Sequence, residues 1–419
     1  MSRRLKDSGI EWIGDIPDDW EIGYIGQIYT ERKQKVSDRD YVPLSVTMKG
    51  IVPQLSTAAK TDAHDDRKLV KKGDFAINSR SDRRGSCGIA TMDGSISLIN
   101  TVLKPKEEMN PNYYNWLFHT SMFSDEFYKW GHGIVDDLWT TNWSDMKKIA
   151  IPIPALKEQR TISSFLNNKC SYIDNIITKT QASIEEYKKL KQSIITQAVT
   201  KGVRGDREMK DSGIEWIGEI PSDWNVGKIS YFYDVTLGKM VDNTESNEKS
   251  NYLCAANVKW TGVNTDVEKK MFFSDSEKEQ YLLENGDILI MEGGMAGTAC
   301  IYHGEFSPCY IQNSVHRCRP FKNDIGQFLY YWMFVVYHSG YISNICNKAT
   351  IMHYTKEKVK ATPYLVMSED EQNEIVNYLD KRCSEIDSIL EKKSRFIIEM
   401  ETYKKSLIYE YVTGKKEVV

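Results

Sequence analysis

The sequence predicts an α+β protein in which two similar mixed globular units alternate with two long helices, the helices pairing as an antiparallel intramolecular coiled coil. Three observations predict it. Between Glu158 and about Lys201, the apolar residues Ile173, Ile177, Ile184, Tyr187 and Ile194, with Thr180 and Lys191 among them, recur at alternating steps of four and three, the spacing of a coiled-coil seam. The stretch returns at a constant offset of 213 residues (173 to 386) as Ile386, Leu390, Ile397, Met400 and Leu407, and the polar interruptions coincide at Lys393 and Lys404. The peptide Asp7-Ser-Gly-Ile-Glu-Trp-Ile-Gly-Asp-Ile-Pro-Asp-Asp-Trp20 recurs as Asp211-Ser-Gly-Ile-Glu-Trp-Ile-Gly-Glu-Ile-Pro-Ser-Asp-Trp224, so the chain is an internal duplication.

Each helical stretch lacks internal Gly and Pro. About 43 residues at ~1.5 Å rise give a rod of roughly 65 Å. One rod alone would expose its seam, whereas two in one chain bury their seams against each other. The expected order is a globular unit over residues 1–154, a helix over 155–203, a second globular unit over 204–367 and a second helix over 368–414.

Within each globular unit the landmarks recur. Trp12, Trp20, Trp216 and Trp224 sit among Gly and Pro, as in a compact aromatic turn. Stacking on bases is one use for such rings; anchoring the turn to the rod ends is the favoured one, because burying an aromatic ring stabilises wherever a pocket exists. Val42-Pro-Leu-Ser-Val and Phe75-Ala-Ile-Asn read as strands, with Gly73-Asp74 turning into the second. Gly286-Asp-Ile-Leu-Ile repeats Gly73-Asp-Phe-Ala-Ile at the offset of 213. An aromatic helix follows in each half, Tyr113–Phe118 and Tyr330–Phe334, then a short helix near 144–148 and 355–359. An extended lead-in to each rod comes last, at Ile151-Pro-Ile-Pro and Thr362-Pro-Tyr. The C-terminal Val412-Thr-Gly-Lys joined to the N-terminus would nearly recreate the internal junction after Val199-Thr-Lys-Gly, which makes the chain quasi-cyclic, with approximate twofold character and neighbouring termini.

The totals are those of an ordinary globular chain: 419 residues, 41% apolar, 27% charged, net charge −4. No global basic field announces a nucleic-acid partner, which weighs less for a subunit supplying part of a clamp. Eight cysteines form no Cys-x-x-Cys pair, and no secretory signal follows Arg3 and Arg4, so reduced thiols in a cytoplasmic protein fit best. Cys170 and Cys383 occupy matching rod positions, as packing residues do. The spacing of His303, Cys309, His316 and Cys318 fits no common zinc pattern. The most apolar run, Phe328–Val336, is too short to span a bilayer.

Catalytic motifs are missing. There is no Gly-x-x-x-x-Gly-Lys-Ser/Thr phosphate loop and no Gly-x-Gly-x-x-Gly after a strand. Asn110-Pro-Asn-Tyr113 resembles a methyltransferase Asn-Pro-Pro-Tyr but lacks the second proline and a glycine-rich cofactor loop, and reads as a helix-opening turn. The remaining chemistry is binding chemistry. Asn78, Arg80, Arg83 and Arg84 follow a strand in a turn closed by Gly85, and arginine forks read guanine edges and grip phosphates. The equivalent turn, Met291-Glu-Gly-Gly-Met-Ala-Gly297, offers Glu292 as an acceptor for cytosine and Met295 as an apolar contact for a thymine methyl. Lys71, Lys72, Arg317, Arg319, Lys348, His353, Lys356 and Lys358 are candidate phosphate contacts; each taken singly also fits a solvated surface charge.

With these motifs in view, the chain resembles the specificity (S) subunit of type I restriction–modification systems over essentially its whole length. The resemblance rests on Gly-Ile-Glu-Trp-Ile-Gly-x-Ile-Pro-x-x-Trp, the Gly-Asp strand start, the Ile-Pro-x-Pro-(x)3-Glu-Gln-(x)2-Ile lead-in and their duplication. The second copy departs at 362–367, where Thr-Pro-Tyr-Leu-Val-Met stands. The resemblance implies two target-recognition domains, each reading half of a bipartite DNA site, with the rods as spacer and as platform for two methyltransferase (M) subunits. It implies no cofactor bound by this chain: S-adenosylmethionine, ATP and Mg²⁺ belong to the M subunits and to motor-nuclease (R) subunits. The rival from another class is a non-catalytic coiled-coil adaptor that binds proteins through its globular ends.

Overall fold

The structure is a computed structural model and describes residues 3–55, 64–134, 139–242, 248–321, 325–346 and 352–418. Its two compact units do not follow the linear order of the chain: one comprises residues 1–181 and 394–419, the other 182–393. Each long helix is thereby shared between units.

Unit 1 is built on a four-stranded antiparallel sheet. Strand β1 (Glu21–Tyr24) precedes it; β2 (Tyr29–Glu31), β3 (Phe75–Asn78), β4 (Cys87–Ile89) and β5 (Asn100–Pro105) form it in the order β4-β3-β5-β2. Helix α1 (Pro111–Phe118) starts where the sequence places it: Pro111 takes the first turn and the Asn110 side chain accepts from the Asn112 amide, two devices that suit a helix start. Its Tyr113, Tyr114, Leu117 and Phe118 are buried against Tyr29 and Phe75. Helix α2 (Ser121–Lys129) follows, capped by Thr120. Strand β6 (Ala150–Ile153) returns antiparallel to β1 and leads into α3 (Leu156–Lys201).

Unit 2 repeats the plan with β7 (Asn225–Lys228), β8 (Tyr233–Leu237), β9 (Ile288–Met291), β10 (Ala299–Ile301), β11 (Val315–Pro320), α4 (Gly326–His338), β12 (Pro363–Val366) and α5 (Glu369–Val412). Its sheet order, β8-β11-β9-β10, is that of unit 1. The departure at 362–367 changes nothing in the path: β12 pairs antiparallel with β7 as β6 does with β1.

The Gly-Asp motif now has a cause. Gly73 and Gly286 hold φ of 90° and 96°, which favours glycine. The following carboxylates cap the turn, Asp74 accepting from the Lys71 amide at 2.9 Å and Asp287 from the Glu284 amide at 2.7 Å. Both carboxylates are buried, so each needs a cation. Unit 1 supplies Arg32, just past β2, and unit 2 supplies Arg319, on β11. One motif is neutralised from two different strands.

The seam lies where the periodicity puts it. In unit 1, Cys170, Ile173, Ile177 and Leu407 are buried and Ile397 and Met400 half-buried; in unit 2, Cys383 and Ile386 are buried and Ile184, Tyr187, Ile194 and Leu390 half-buried. Ile195 is buried more deeply than Ile194, the drift expected when a 3.6-residue turn meets a 3.5-residue pattern. The start of α3 meets the end of α5 in unit 1, and the end of α3 meets the start of α5 in unit 2, so the helices run antiparallel. Polar seam residues find carboxylates: Lys404 binds Asp174 in unit 1 and Lys191 binds Asp387 in unit 2, at 2.6–2.7 Å.

The tryptophan turns are anchored on the helices. Trp20 donates to Glu158 on α3, and Trp224 to Glu371 on α5. The neighbouring glutamine of the Glu-Gln motif caps the aromatic helix: Gln159 accepts from the Asn110 amide at 2.8 Å, Gln372 from the Ile325 amide at 3.3 Å. In unit 1 the C-terminal turn of the chain, at Gly414, packs against Pro17 and Trp20; in unit 2 Gly202 occupies the same place beside Trp224. Both chain ends therefore lie in unit 1. No described helix is long and apolar enough to cross a membrane.

Candidate nucleic-acid interface

The chain turns sharply at the ends of β3 and β9. In unit 1 the Ser79 amide donates to the Ile99 carbonyl at 3.2 Å, and the Ser79 carbonyl accepts from Thr141 at 3.0 Å. In unit 2 the Glu292 amide donates to Ser314 at 2.9 Å, and its carbonyl accepts from Tyr354 at 2.7 Å. The next residues form matching antiparallel bridges, Arg80 with Thr140 and Gly293 with His353. Each unit thus presents an edge of three segments on one backbone plan. The side chains at corresponding positions differ throughout: Ser79 and Glu292, Arg80 and Gly293, Leu98 and Asn313, Ile99 and Ser314, Thr140 and His353.

The unit 1 edge is cationic and aromatic. Arg83 is exposed, with Asp82 at 3.4 Å. Arg84 lies over the Tyr128 ring at 5.2 Å and pairs with Asp125 at 3.1 Å. Arg80 is half-buried and opens a short 3-10 turn over Ser81–Arg83. A cleft of about 700 Å³ opens beside Arg84, lined also by Ser81, Asp82, Asp125, Tyr128, Lys129 and Trp139. Burial pushes the Tyr128 phenol up, so it remains a neutral donor to the Asn78 carbonyl at 3.3 Å. Asn78 itself is buried and its side chain accepts from the Arg80 amide at 3.0 Å. It shapes the turn from inside instead of facing a base.

The unit 2 edge has a different chemistry. Glu292 is half-buried and both its oxygens lie 3.0 Å from the His353 ring nitrogen Nδ1. Met295 is 57% exposed. Lys358 donates to the His353 carbonyl at 3.0 Å, and Lys356 is half-buried at the start of the helix Lys356–Ala361. Lys348 lies outside the described residues.

Three sets of phosphate candidates sit elsewhere. Arg317 is buried, with its guanidinium bound to the carbonyls of Gln280 and Leu282 and to Asp234. Arg319 is bound to Asp287 and Glu284. Both arginines brace the unit 2 sheet: Arg317 is itself buried among carbonyls, and Arg319 is held by the buried Asp287. Lys71 and Lys72 are exposed, but they precede the turn that opens β3 and lie at the opposite end of that strand from Arg80. Among the described residues no three His, Cys, Asp or Glu side chains group to hold a metal ion. Of the zinc quartet, Cys309 contacts the Tyr310 carbonyl and His316 the Tyr354 carbonyl.

Sequence reasoning missed Tyr128, Trp139 and the turns at 97–99 and 312–314. Aligning the strands after the Gly-Asp motif would have exposed the turns, since β5 and β11 correspond at an offset of 215 (100 to 315).

A duplicated scaffold with two chemically distinct edges, carried on paired helices, defines a two-site recognition protein. The chain belongs to the family of type I restriction modification DNA specificity domains, whose model matches residues 17–186 and 221–400. It is 24% identical to the type I restriction enzyme MjaVIII specificity subunit of Methanocaldococcus jannaschii over 96% of this chain and 94% of that one. It is 23% identical to the putative MjaX specificity subunit of the same organism over 97% and 96%. Two solved structures share the fold. One comes from a study of complex assembly and conformational transition of the type I R-M system (TM-score 0.76, 14% identity, 96% of this chain and 99% of that one). The other is the HsdS subunit from Thermoanaerobacter tengcongensis (TM-score 0.57, 15% identity, 96% and 98%).

Proposed function

We infer that the chain is the DNA sequence-specificity subunit of a type I restriction–modification complex, each unit reading one half of a bipartite, asymmetric site. The observation that carries this is the pair of edges: one backbone plan, with different side chains at the five corresponding positions from Ser79 and Glu292 to Thr140 and His353. A protein-binding adaptor has no need of such a device, and family membership goes against that reading. Arg80, Arg83 and Arg84 are the base and phosphate contacts of unit 1. Glu292, Met295 and His353 do the reading in unit 2, with Lys356 and Lys358 nearby for the backbone. The paired helices set the gap between half-sites and dock two methyltransferase subunits, and motor-nuclease subunits complete the complex. Those partners carry S-adenosylmethionine, ATP and Mg²⁺, and this chain contributes recognition rather than catalysis. The setting is the cytoplasm, where the DNA is.

The test is a genome-wide map of N6-methyladenine with and without this chain. Loss of a single bipartite motif on deletion is the expected result. An unchanged map with the methyltransferase partners expressed refutes the assignment.

A further inference from the structure

Resting on that reading, we propose that the turn Gln312–Asn313–Ser314 is a second base-reading element of unit 2, and that its amides recognise an adenine in the half-site. The turn is pinned on four sides. Gln312 donates its amide to Leu253, Asn313 to Lys239, and Val315 closes the turn onto Gln312, at 2.8–3.0 Å. The Ser314 hydroxyl accepts from the Ala255 amide at 2.9 Å, and its carbonyl holds Glu292. The side chains are ordered too: the Gln312 amide nitrogen donates to Asn313 Oδ1, and Gln312 Oε1 receives the Ser314 hydroxyl. A pre-ordered amide loses little freedom on binding, which favours affinity and selectivity.

This chain of bonds leaves the Asn313 Nδ2 group a donor with no hydrogen-bond partner among the described residues, beside an oxygen that keeps a second lone pair. A donor next to an acceptor on one planar amide matches adenine in the major groove, which presents N7 as acceptor and N6 as donor. All three side chains are half-buried, so the group sits on the edge without being lost in the core. The surroundings suit a base edge: Met240, one residue past Lys239, is 74% exposed, and Met295 lies in the adjoining turn.

Unit 1 supplies the contrast on the same backbone. There Ser97 stands for Gln312, and Asn313 and Ser314 are replaced by Leu98 and Ile99, 36% and 37% exposed, which carry no side-chain donor or acceptor. Apolar side chains at that place meet a thymine methyl and not a polar edge. The turn thus differs in the kind of contact it makes while its main-chain bonds to the reading loop stay the same.

The experiment expresses the full chain with its methyltransferase partners in a host free of N6-methyladenine and sequences the methylated sites. For Asn313→Ala, one position of one half-site is expected to relax, with discrimination there falling roughly tenfold or more, while the other half-site stays fixed and reports that the complex has folded. Leu98→Asn should alter the opposite half-site. Asn313→Asp, which keeps the shape and removes the donors, should relax the same position as Asn313→Ala. If both Asn313 variants keep both half-sites unchanged, the proposal is overturned and the specificity assignment stands. If both variants abolish methylation in an assembled complex, the turn is structural and the proposal is also overturned. If the unaltered chain directs no bipartite motif, the assignment itself falls and takes the proposal with it.

Discussion

The indole nitrogen of Trp20 donates to the Glu158 carboxylate at 2.8 Å, and Trp224 makes the same bond to Glu371 at 2.9 Å. An arginine completes each set: Arg3 lies over Trp20 and pairs with Glu158 and Asp19, and Arg207 lies over Trp224 and pairs with Glu371 and Asp223. Acidic residues in the first turn of α3 and α5 also suit the positive end of the helix dipole. The two latches differ in depth, the Glu158 side chain being 25% exposed and that of Glu371 3%. Glu371→Ala leaves the buried Trp224 indole without its acceptor and Arg207 with Asp223 alone, and is expected to cost about 2 kcal/mol. Glu158→Ala is expected to cost less, because the Glu158 carboxylate already lies partly in water, which can take its place beside Trp20 and Arg3. Urea unfolding of the two variants checks this, and equal losses would contradict the burial argument.

Lys191 and Lys404 are equivalent residues on the two helices, and so are their partners Asp387 and Asp174. Each lysine is 25% exposed and each aspartate 55%, so a pair contributes little, roughly 0.2–1 kcal/mol. Their value lies in register, because each carboxylate meets its lysine in one alignment only. Lys191→Glu places two like charges together and is expected to lower stability by about 1 kcal/mol. Adding Asp387→Lys should recover most of that loss in a double-mutant cycle. A double variant no more stable than the single one refutes the role.

The seam, the duplicated tryptophan turn and the Gly-Asp strands were legible because they repeat locally. The aromatic helices were equally clear, since Pro111 and Asn110 mark a start and runs such as Tyr113–Phe118 can only be core. The sharing of the helices between units was hidden, for the pairing of Asp174 with Lys404 spans 230 residues and leaves no local pattern. Arg317 and Arg319 were misread as surface cations because sequence does not record depth. Nothing in the segment marks Asp287 as needing Arg319 when its counterpart Asp74 is served by Arg32. Asn78 was misread for the same reason, as its side chain serves the turn and not the outside.

Arg319 separates a brace from a phosphate contact. Asp287 is 1% exposed at its side chain and receives two bonds of 2.7 Å from this guanidinium. Arg319→Ala leaves that carboxylate buried and unpaired, which is expected to cost about 3 kcal/mol or more. DNA binding by the assembled complex should keep its salt dependence, whereas removing a true phosphate contact lowers the slope by about 1. Chemical unfolding and a salt titration of affinity check the two halves of the prediction. A shallower slope with unchanged stability would restore Arg319 to the interface.

His316 links the unit 2 edge to pH. Burial holds its imidazole below the ordinary value of about 6.5, against the opposing pull of its bond to the Tyr354 carbonyl at 2.8 Å and of the Glu292 charge. The unfolded chain therefore binds a proton near pH 6.5 that the folded chain refuses until lower pH. In that window the unfolded state carries more protons, so stability rises with pH. The contribution is complete above about pH 6.5 and is lost as the pH falls below it, by up to ~1.4 kcal/mol per pH unit. His119, depressed by burial in unit 1, acts with the same sign. Between pH 7.5 and 5.5 the parent chain is expected to lose stability through both groups. His316→Gln should lose less, since only His119 remains to titrate. Because Tyr354 hydrogen-bonds both His316 and the Glu292 carbonyl, protonation should loosen the unit 2 edge first. Methylation specificity in the half-site read by unit 2 should then relax at pH 5.5 while the other half-site holds; parallel unfolding curves for the parent and His316→Gln would refute the coupling.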